Sequence, residues 1–214
     1  EGTAVMALNQ TRGRGRMGRP WISPKGKNLA LSLILRPHLK PWDAVLLGFL
    51  ASIAVAEAVE EKGVPEAQLR WPNDVLVRDR KIAGILSEAV VSRGHMDFVI
   101  VGIGLNVNSR RSDFPTDLRT PATSLYMCTG KESDLADAAR GILKRFALHY
   151  DRVDSEGCGF IPRLWEIRWP HRGRKLVHES FVGVGRGLEA DGSLILEQDD
   201  GRIVHVTCGD VLPA

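Results

Sequence analysis

Cysteine is scarce in this 214-residue chain. Only Cys128, Cys158 and Cys208 occur, widely spaced and with no Cys-x-x-Cys pair. An odd count at such spacing argues against a disulfide framework or a structural zinc site, and favours a reducing, cytoplasmic setting. The six histidines are scattered without ligand spacing, so no metal site is expected. An excess of one charge is also lacking: 29 basic residues against 26 acidic ones leave +3, too little to imply a nucleic-acid partner by itself. No apolar run is read as reaching membrane-spanning length, and no signal-peptide pattern, internal repeat or low-complexity tract is visible. An initiator methionine is missing too: Glu1-Gly2-Thr3 leads straight into Ala4–Leu8, which reads as a strand already under way, so the sequence is expected to begin inside a domain. What remains, 43% hydrophobic and 26% charged residues, is an ordinary globular balance. The length suits one large domain with, at most, a small appendage.

Hydrophobic periodicity supplies the elements. Leu29–Leu35 is nearly all apolar and reads as a strand buried on both faces. Trp42–Lys62, with Asp43 near its start and Gly63 after its end, reads as a helix apolar almost all round, which should lie against a sheet. Gln68–Glu88 reads as two strands, with Val75–Val77 pairing with Ile82–Leu86 across Arg78-Asp79-Arg80, and Phe98–Leu105 as a further strand. Residues 133–153 carry Leu135, Ile142, Leu143, Phe146, Tyr150 and Val153 on one helical face. Trp165 and Trp169 are expected in the core, in a short helix ended by Pro170. From His171 the texture becomes short β runs (175–177, 193–197, 203–206) broken by Asp191-Gly192 and Asp200-Gly201. A boundary at 170/171 is therefore expected, with a small β-barrel behind it.

The segment Gly13-Arg14-Gly15-Arg16-Met17-Gly18-Arg19-Pro20-Trp21 carries the chemistry. It formally contains Gly-x-Gly-x-x-Gly, but that dinucleotide fingerprint needs a helix opening at the glycines. Pro20, Pro24 and Gly26 forbid one here, and the Rossmann reading is rejected. The segment does offer Arg12, Arg14, Arg16 and Arg19 on a permissive backbone. Guanidinium groups grip phosphate and carboxylate by paired hydrogen bonds and stay charged at working pH. Taken alone, the same residues also suit an exposed flexible loop or an RNA-contacting tract.

Three more segments follow in order: Trp71-Pro72-Asn73-Asp74, Arg80-Lys81-Ile82-Ala83-Gly84-Ile85-Leu86 and Val101-Gly102-Ile103-Gly104-Leu105-Asn106-Val107-Asn108. With Gln10 and the arginine-glycine segment they resemble the biotin protein ligase family, through nearly the whole chain to Gly209-Asp210. The resemblance implies an α+β fold: a catalytic domain related to class II aminoacyl-tRNA synthetases, with a mixed sheet and flanking helices (1–170), then an SH3-like barrel (171–214). It implies an ATP-dependent ligase that makes biotinyl-5′-AMP and passes the biotin to a lysine of a biotin carboxyl carrier domain, with Mg²⁺ arriving on the ATP phosphates. By similarity, Lys81 bridges the biotin carboxylate and the α-phosphate. Gln10, Arg14, Gly15 and Arg16 attend biotin, and Arg16 guards the adenylate. Arg19, Trp21, Asn73 and Asn106 attend ATP, while Asp74 stands where the acceptor amine arrives. Without the resemblance, Lys81 would read as a surface lysine at a hairpin, and Asn73 and Asp74 as turn caps.

Two departures stand out. The Ser-Thr-Asn element that the family carries upstream of the arginine segment is not in this sequence, and Arg70 stands where the family often has lysine. The rivals are a lipoate or octanoyl ligase of the related fold, and a nucleic-acid module using the arginines. The latter lacks the alternating aromatics of single-strand binders. Some family members carry an N-terminal helix-turn-helix; DNA is a partner only where one exists, and none is visible here. A homodimer is left open.

Overall fold

The computed structural model describes residues 1–179 and 181–214. The chain starts as strand β1 (Thr3–Ala7), passes through the long arginine-glycine segment and returns as β2 (Leu29–Leu35). Helix α1 (Ala44–Glu60) then crosses to β3 (Gln68–Arg70), from which β4 (Asp74–Val77), β5 (Arg80–Ser92) and β6 (His95–Leu105) follow as hairpins. Both tight turns take their shape from paired positive φ angles: Arg78 (49°) and Asp79 (59°), then Arg93 (49°) and Gly94 (80°). Two-residue turns of this hand match the twist of the strands they join. The β5–β6 hairpin extends well past the residues whose alternation is apolar, because a register shift at Val90/Val91 breaks the alternation and the tip, Ser92 to His95, is solvated.

The sheet order is β1-β2-β6-β5-β4-β3, and every pairing in it is antiparallel. The mixed sheet implied by the family resemblance is corrected here. Hairpins alternate strand direction, and the α1 crossover from β2 lands on the far edge at β3 rather than beside its parallel mate, so no parallel neighbours arise. The one parallel feature is an isolated bridge between Lys81 and Ala122.

One face of the sheet is covered by α1, with fourteen of its seventeen residues buried, which is why it shows no polar stripe. By length and composition Pro41–Glu60 is apolar enough to cross a membrane, contrary to the sequence reading, yet most of it is buried among sheet and helices. Helix α2 (Leu125–Thr129) and the long α3 (Leu135–Glu156) follow, the latter capped by the Asp134 carboxylate accepting from the Asp137 N–H at 2.7 Å. Between α1 and α3, His149 Nε2 meets the Glu57 carboxylate at 3.0 Å. Helix α4 (Ile161–Glu166) places Trp165 fully inside, stacked on Phe49 with centroids 5.2 Å apart and its indole N–H donating to Ser52 Oγ at 3.0 Å. All three cysteines are unpaired, and burial pushes the Cys158 thiol up to about 11.

β2 is wholly buried on one face and only partly on the other. Leu29, Leu31, Leu33 and Leu35 are inside, whereas on the uncovered side of the sheet Ala30 is buried and Ser32 and Ile34 are partly exposed. The expectation of two buried faces fails because that side carries a cleft.

The C-terminal segment forms a second antiparallel sheet, ordered β10-β9-β8-β7-β11, from β7 (Lys175–His178), β8 (Phe181–Leu188), β9 (Leu194–Glu197), β10 (Ile203–Val206) and β11 (Val211–Pro213). β8 escaped the sequence reading because glycine occupies every second position from 183 to 187. Packing explains two of these glycines: a Cβ on Gly185 would sit 2.8 Å from Trp169, and one on Gly183 3.0 Å from Leu196. Trp71 ties the two sheets together, donating its indole N–H to Gly192 O at 3.0 Å.

Leu50 is completely buried in α1. Leu50→Ala is expected to lower unfolding free energy by ~2–5 kcal/mol, the range for a core cavity of this kind. Chemical denaturation reads it directly, and a loss below ~1 kcal/mol would contradict the packing described.

Candidate functional site

The arginine-glycine segment folds back on itself as a tight loop. Trp21 N donates to Gly13 O at 2.9 Å and Gly15 N to Arg19 O at 2.7 Å, with Arg14 and Pro20 bridged. Its apex is a single 3-10 turn, Arg16–Gly18, with Met17 and Gly18 at φ 54° and 71°. No helix opens at the glycines, in keeping with rejection of the dinucleotide fingerprint. Glycine is required at 13, where a Cβ would lie 2.3 Å from Trp21 O.

The loop is fastened to the sheet by the Trp21 ring. Gly84 and Gly104 face each other across β5 and β6. A Cβ on Gly104 would stand 2.4 Å from Trp21 Cε2, and one on Gly84 3.2 Å from Trp21 Cζ3. Bare backbone on two neighbouring strands therefore makes the seat for the indole. Its Nε1–H is buried without a hydrogen-bond partner among the described residues. Such a donor costs about 1–3 kcal/mol until an acceptor reaches it, which marks the seat as a place for a polar ligand atom.

Charge gathers at two carboxylates. Asp74 opens β4 and is held between Lys81 Nζ on one oxygen and Arg70 Nη2 on the other, and Arg70 Nη2 also donates to Thr120 Oγ1 at 2.8 Å. Lys81 is set by its backbone, which donates to Pro121 O at 2.8 Å and accepts from Thr123 N at 2.9 Å. Its ammonium lies 5.6 Å from the centre of the Trp21 ring. The second carboxylate, Asp210, meets Arg19 at 2.5 Å, Arg119 at 2.5 Å and Arg16 at 3.8 Å. Burial pulls the Arg16 guanidinium below its ordinary value, with Asp210 and Asp74 acting in the opposite direction. For Asp210, burial raises its carboxyl, but the bond from Arg19 and the charges of Arg19, Arg119 and Arg16 outweigh that and hold it below the usual carboxylate range. Arg14 is exposed and pairs with Glu88 at 3.1 Å.

These groups surround one cleft of about 670 Å³ on the open face of the six-stranded sheet. Gln10, Arg14, Gly15, Arg16, Arg19, Trp21, Asn73, Asp74 and Lys81 all line it. Asn73 does so with its amide N–H donating to Ile85 O at 2.8 Å. Asn106 stands apart from them. It is buried behind the wall, donating to Thr123 O at 3.0 Å and, more weakly, to Lys81 O at 3.5 Å. It braces the segment that holds Lys81 and does not reach the cleft. Its position one residue past a glycine-bared strand end gives it the look of a ligand residue, while its amide is used up by backbone carbonyls. Arg119, Thr120 and Asp210 were not read as site residues. No local pattern marks them, since long-range folding alone brings them to the cleft.

A cleft floored by glycine backbone and rimmed by guanidinium groups and a lysine has the chemistry to hold an anionic small molecule. Comparison with known proteins narrows this. A profile described as the Biotin/lipoate A/B protein ligase family matches residues 1–106. The bifunctional ligase/repressor BirA of Bacillus subtilis is 38% identical over 94% of this chain, which spans 63% of that relative's length. The biotin–[acetyl-CoA-carboxylase] ligase of Paracoccus denitrificans is 33% identical over 94% of this chain and 86% of its own. Among solved structures, the Aquifex aeolicus biotin protein ligase in complex with biotin and ATP superimposes with a TM-score of 0.80 at 32% identity, covering 99% of this chain and 88% of that one. The chain belongs to the biotin protein ligase family.

Gly104→Ala is expected to unseat the Trp21 ring, since the added methyl would overlap it. Acrylamide quenching of tryptophan emission should rise relative to the native chain, and unchanged quenching would show that the ring does not rest on this strand.

Proposed function

We propose that this chain activates biotin with ATP as biotinyl-5′-AMP and transfers it to a lysine of a biotin carboxyl carrier domain of a carboxylase. One observation carries the reading: Lys81, Asp74, Arg16 and the glycine-seated Trp21 meet in a single cleft, in a chain of this family. The division of labour follows from charge. The biotin carboxylate and the ATP triphosphate repel each other, and fixed cations at their meeting point lower that cost and stabilise the charge that moves during attack. Lys81 exchanges its contact with Asp74 for the two anions. A carboxylate oxygen then bonds the α-phosphorus as the bond to pyrophosphate breaks. Arg16 and Arg14 cover the biotin end with Gln10 and Gly15, and Arg19, Trp21 and Asn73 serve the nucleotide.

In the second step the acceptor amine attacks the acyl carbon and AMP leaves with the bonding electrons. Asp74, released by Lys81 and still neutralised by Arg70, presents a free oxygen to hold that amine and take its proton. Mg²⁺ belongs to this scheme as the counter-ion of ATP. A single carboxylate, Asp74, already neutralised by Arg70, is no cage for a cation, and phosphates plus water suit Mg²⁺ well. We take residues 1–170 as the catalytic domain of the class II synthetase type and 171–214 as an SH3-like barrel, the latter closing one end of the cleft through Asp210. A cytoplasmic location fits three unpaired thiols.

The nucleic-acid reading loses ground because Arg16 and Arg19 are paired with Asp210 within the chain, and Arg16 is largely shielded from solvent. A lipoate or octanoyl substrate is separated by experiment: biotin-dependent ATP–pyrophosphate exchange supports the proposal, and exchange driven only by lipoate or octanoate refutes it.

Two substitutions probe the roles. Lys81→Ala is expected to cut pyrophosphate exchange by about 10²–10³-fold or more, the scale of a lost charge-stabilising donor. Exchange near the native rate would remove Lys81 from the reacting centre. Arg16→Gly is expected to let the adenylate escape, seen as biotin label on bystander proteins; labelling confined to the carrier would contradict that role.

A further inference from the structure

Asp210 lies far from the arginine-glycine loop in sequence, in the second sheet, yet it is where the loop's cations converge. It accepts from Arg19 and from Arg119 at 2.5 Å each and stands 3.8 Å from Arg16. Arg16 also donates to the neighbouring Gly209 O at 3.2 Å. The carboxylate is mounted rigidly. It immediately precedes β11, whose Val211 pairs with His178 of β7. His178 Nε2 bonds Cys208 O at 3.0 Å, and Gly209 adopts φ 89° at a place where a Cβ would lie 2.5 Å from that nitrogen. The three guanidinium groups come from two separate segments, the loop and the stretch before α2, and carry like charge. Without an anion between them they would repel and spread into solvent.

Resting on the ligase reading above, we propose that Asp210 is a positioning residue: it gathers Arg16, Arg19 and Arg119 into one preformed polyphosphate-binding surface and thereby makes the second sheet part of the nucleotide site. The carboxylate serves the guanidinium groups as their shared counter-charge, and all three arginines line the cleft. Three cations against one anion leave the surface attractive to a triphosphate. The benefit is preorganisation, since the groups need not be collected at the moment of binding.

The test uses the ligand-free protein and two probes. Inorganic triphosphate, titrated calorimetrically, carries the nucleotide's charge without its base. Trypsin reports the freedom of the loop through cleavage after Arg14, Arg16 or Arg19. Asp210→Asn is expected to bind triphosphate about tenfold more weakly, as for loss of a shared charge-assisted contact, and to be cut faster in the loop. Asp210→Glu should recover most of both. In pyrophosphate exchange the loss should fall on KM for ATP, with kcat near native. Unchanged or tighter triphosphate binding by Asp210→Asn would make the carboxylate a bystander or a competitor, and unchanged cleavage would show that it does not hold the loop; either overturns the proposal. Asp210→Glu tests the same positioning in a chain that keeps the charge, should the amide variant unfold. Absence of biotin-dependent exchange in the native chain would instead refute the ligase reading, and the triphosphate and trypsin results would still decide the role of Asp210.

Discussion

The contact between the Trp21 indole and the bare backbone of Gly84 and Gly104 organises this molecule's functional half. A ring that wide reaches the sheet only where two paired residues on adjacent strands both lack a Cβ. Once seated, it pins the C-terminal end of the arginine-glycine loop, and the loop's own hydrogen bonds carry that anchorage back to Gly13. Arg16 and Arg19 are then held at the rim of the cleft, both paired with Asp210. Hydrophobic contact fastens the loop, and electrostatics uses it.

Two carboxylates divide most of the cations of the site, Arg14 pairing instead with Glu88. Asp74 serves the reacting centre, facing Lys81 and Arg70, and Asp210 serves the far rim, facing Arg16, Arg19 and Arg119. So many like charges in one cleft would be costly without internal counter-ions, and an arrangement with too many would repel an anionic ligand. The observed balance leaves net positive charge at both ends. Arg70 fits this scheme as the second cation on Asp74, its Nη2 donating to both the Asp74 carboxylate and Thr120 Oγ1.

Much of the fold was legible along the chain. The helices over 44–60 and 135–156 followed from apolar content and periodicity, and the turn at Arg78-Asp79 from its flanking strands. β8 was not legible, because alternate glycines erase the hydrophobic signal while serving to pack against Trp169 and Leu196. The extended β5–β6 tip was hidden for a different reason: Val90 and Val91 stand exposed side by side at a register shift, which breaks the alternation that marks a strand. The strand directions were misread as mixed because the resemblance supplied a fold class, whereas the landing place of the α1 crossover depends on the whole sheet. At the site, the residues of the short motifs line one cleft, whereas Asn106 is buried behind its wall.

The sequence alone determined which chemical groups this protein has at its disposal, namely the glycines that permit close approach, the arginines on a curled loop, and a lysine at the mouth of a strand. These are local properties, set by the presence or absence of a side chain and by its charge. Only the tertiary structure decided which groups share a counter-ion and which reach the cleft. Asp210 and Arg119 lie far apart along the chain, and their attraction has meaning only after two sheets and a helix have brought them within a few ångströms. Electrostatic and packing energies depend on distance through space, and the order of residues does not state that distance.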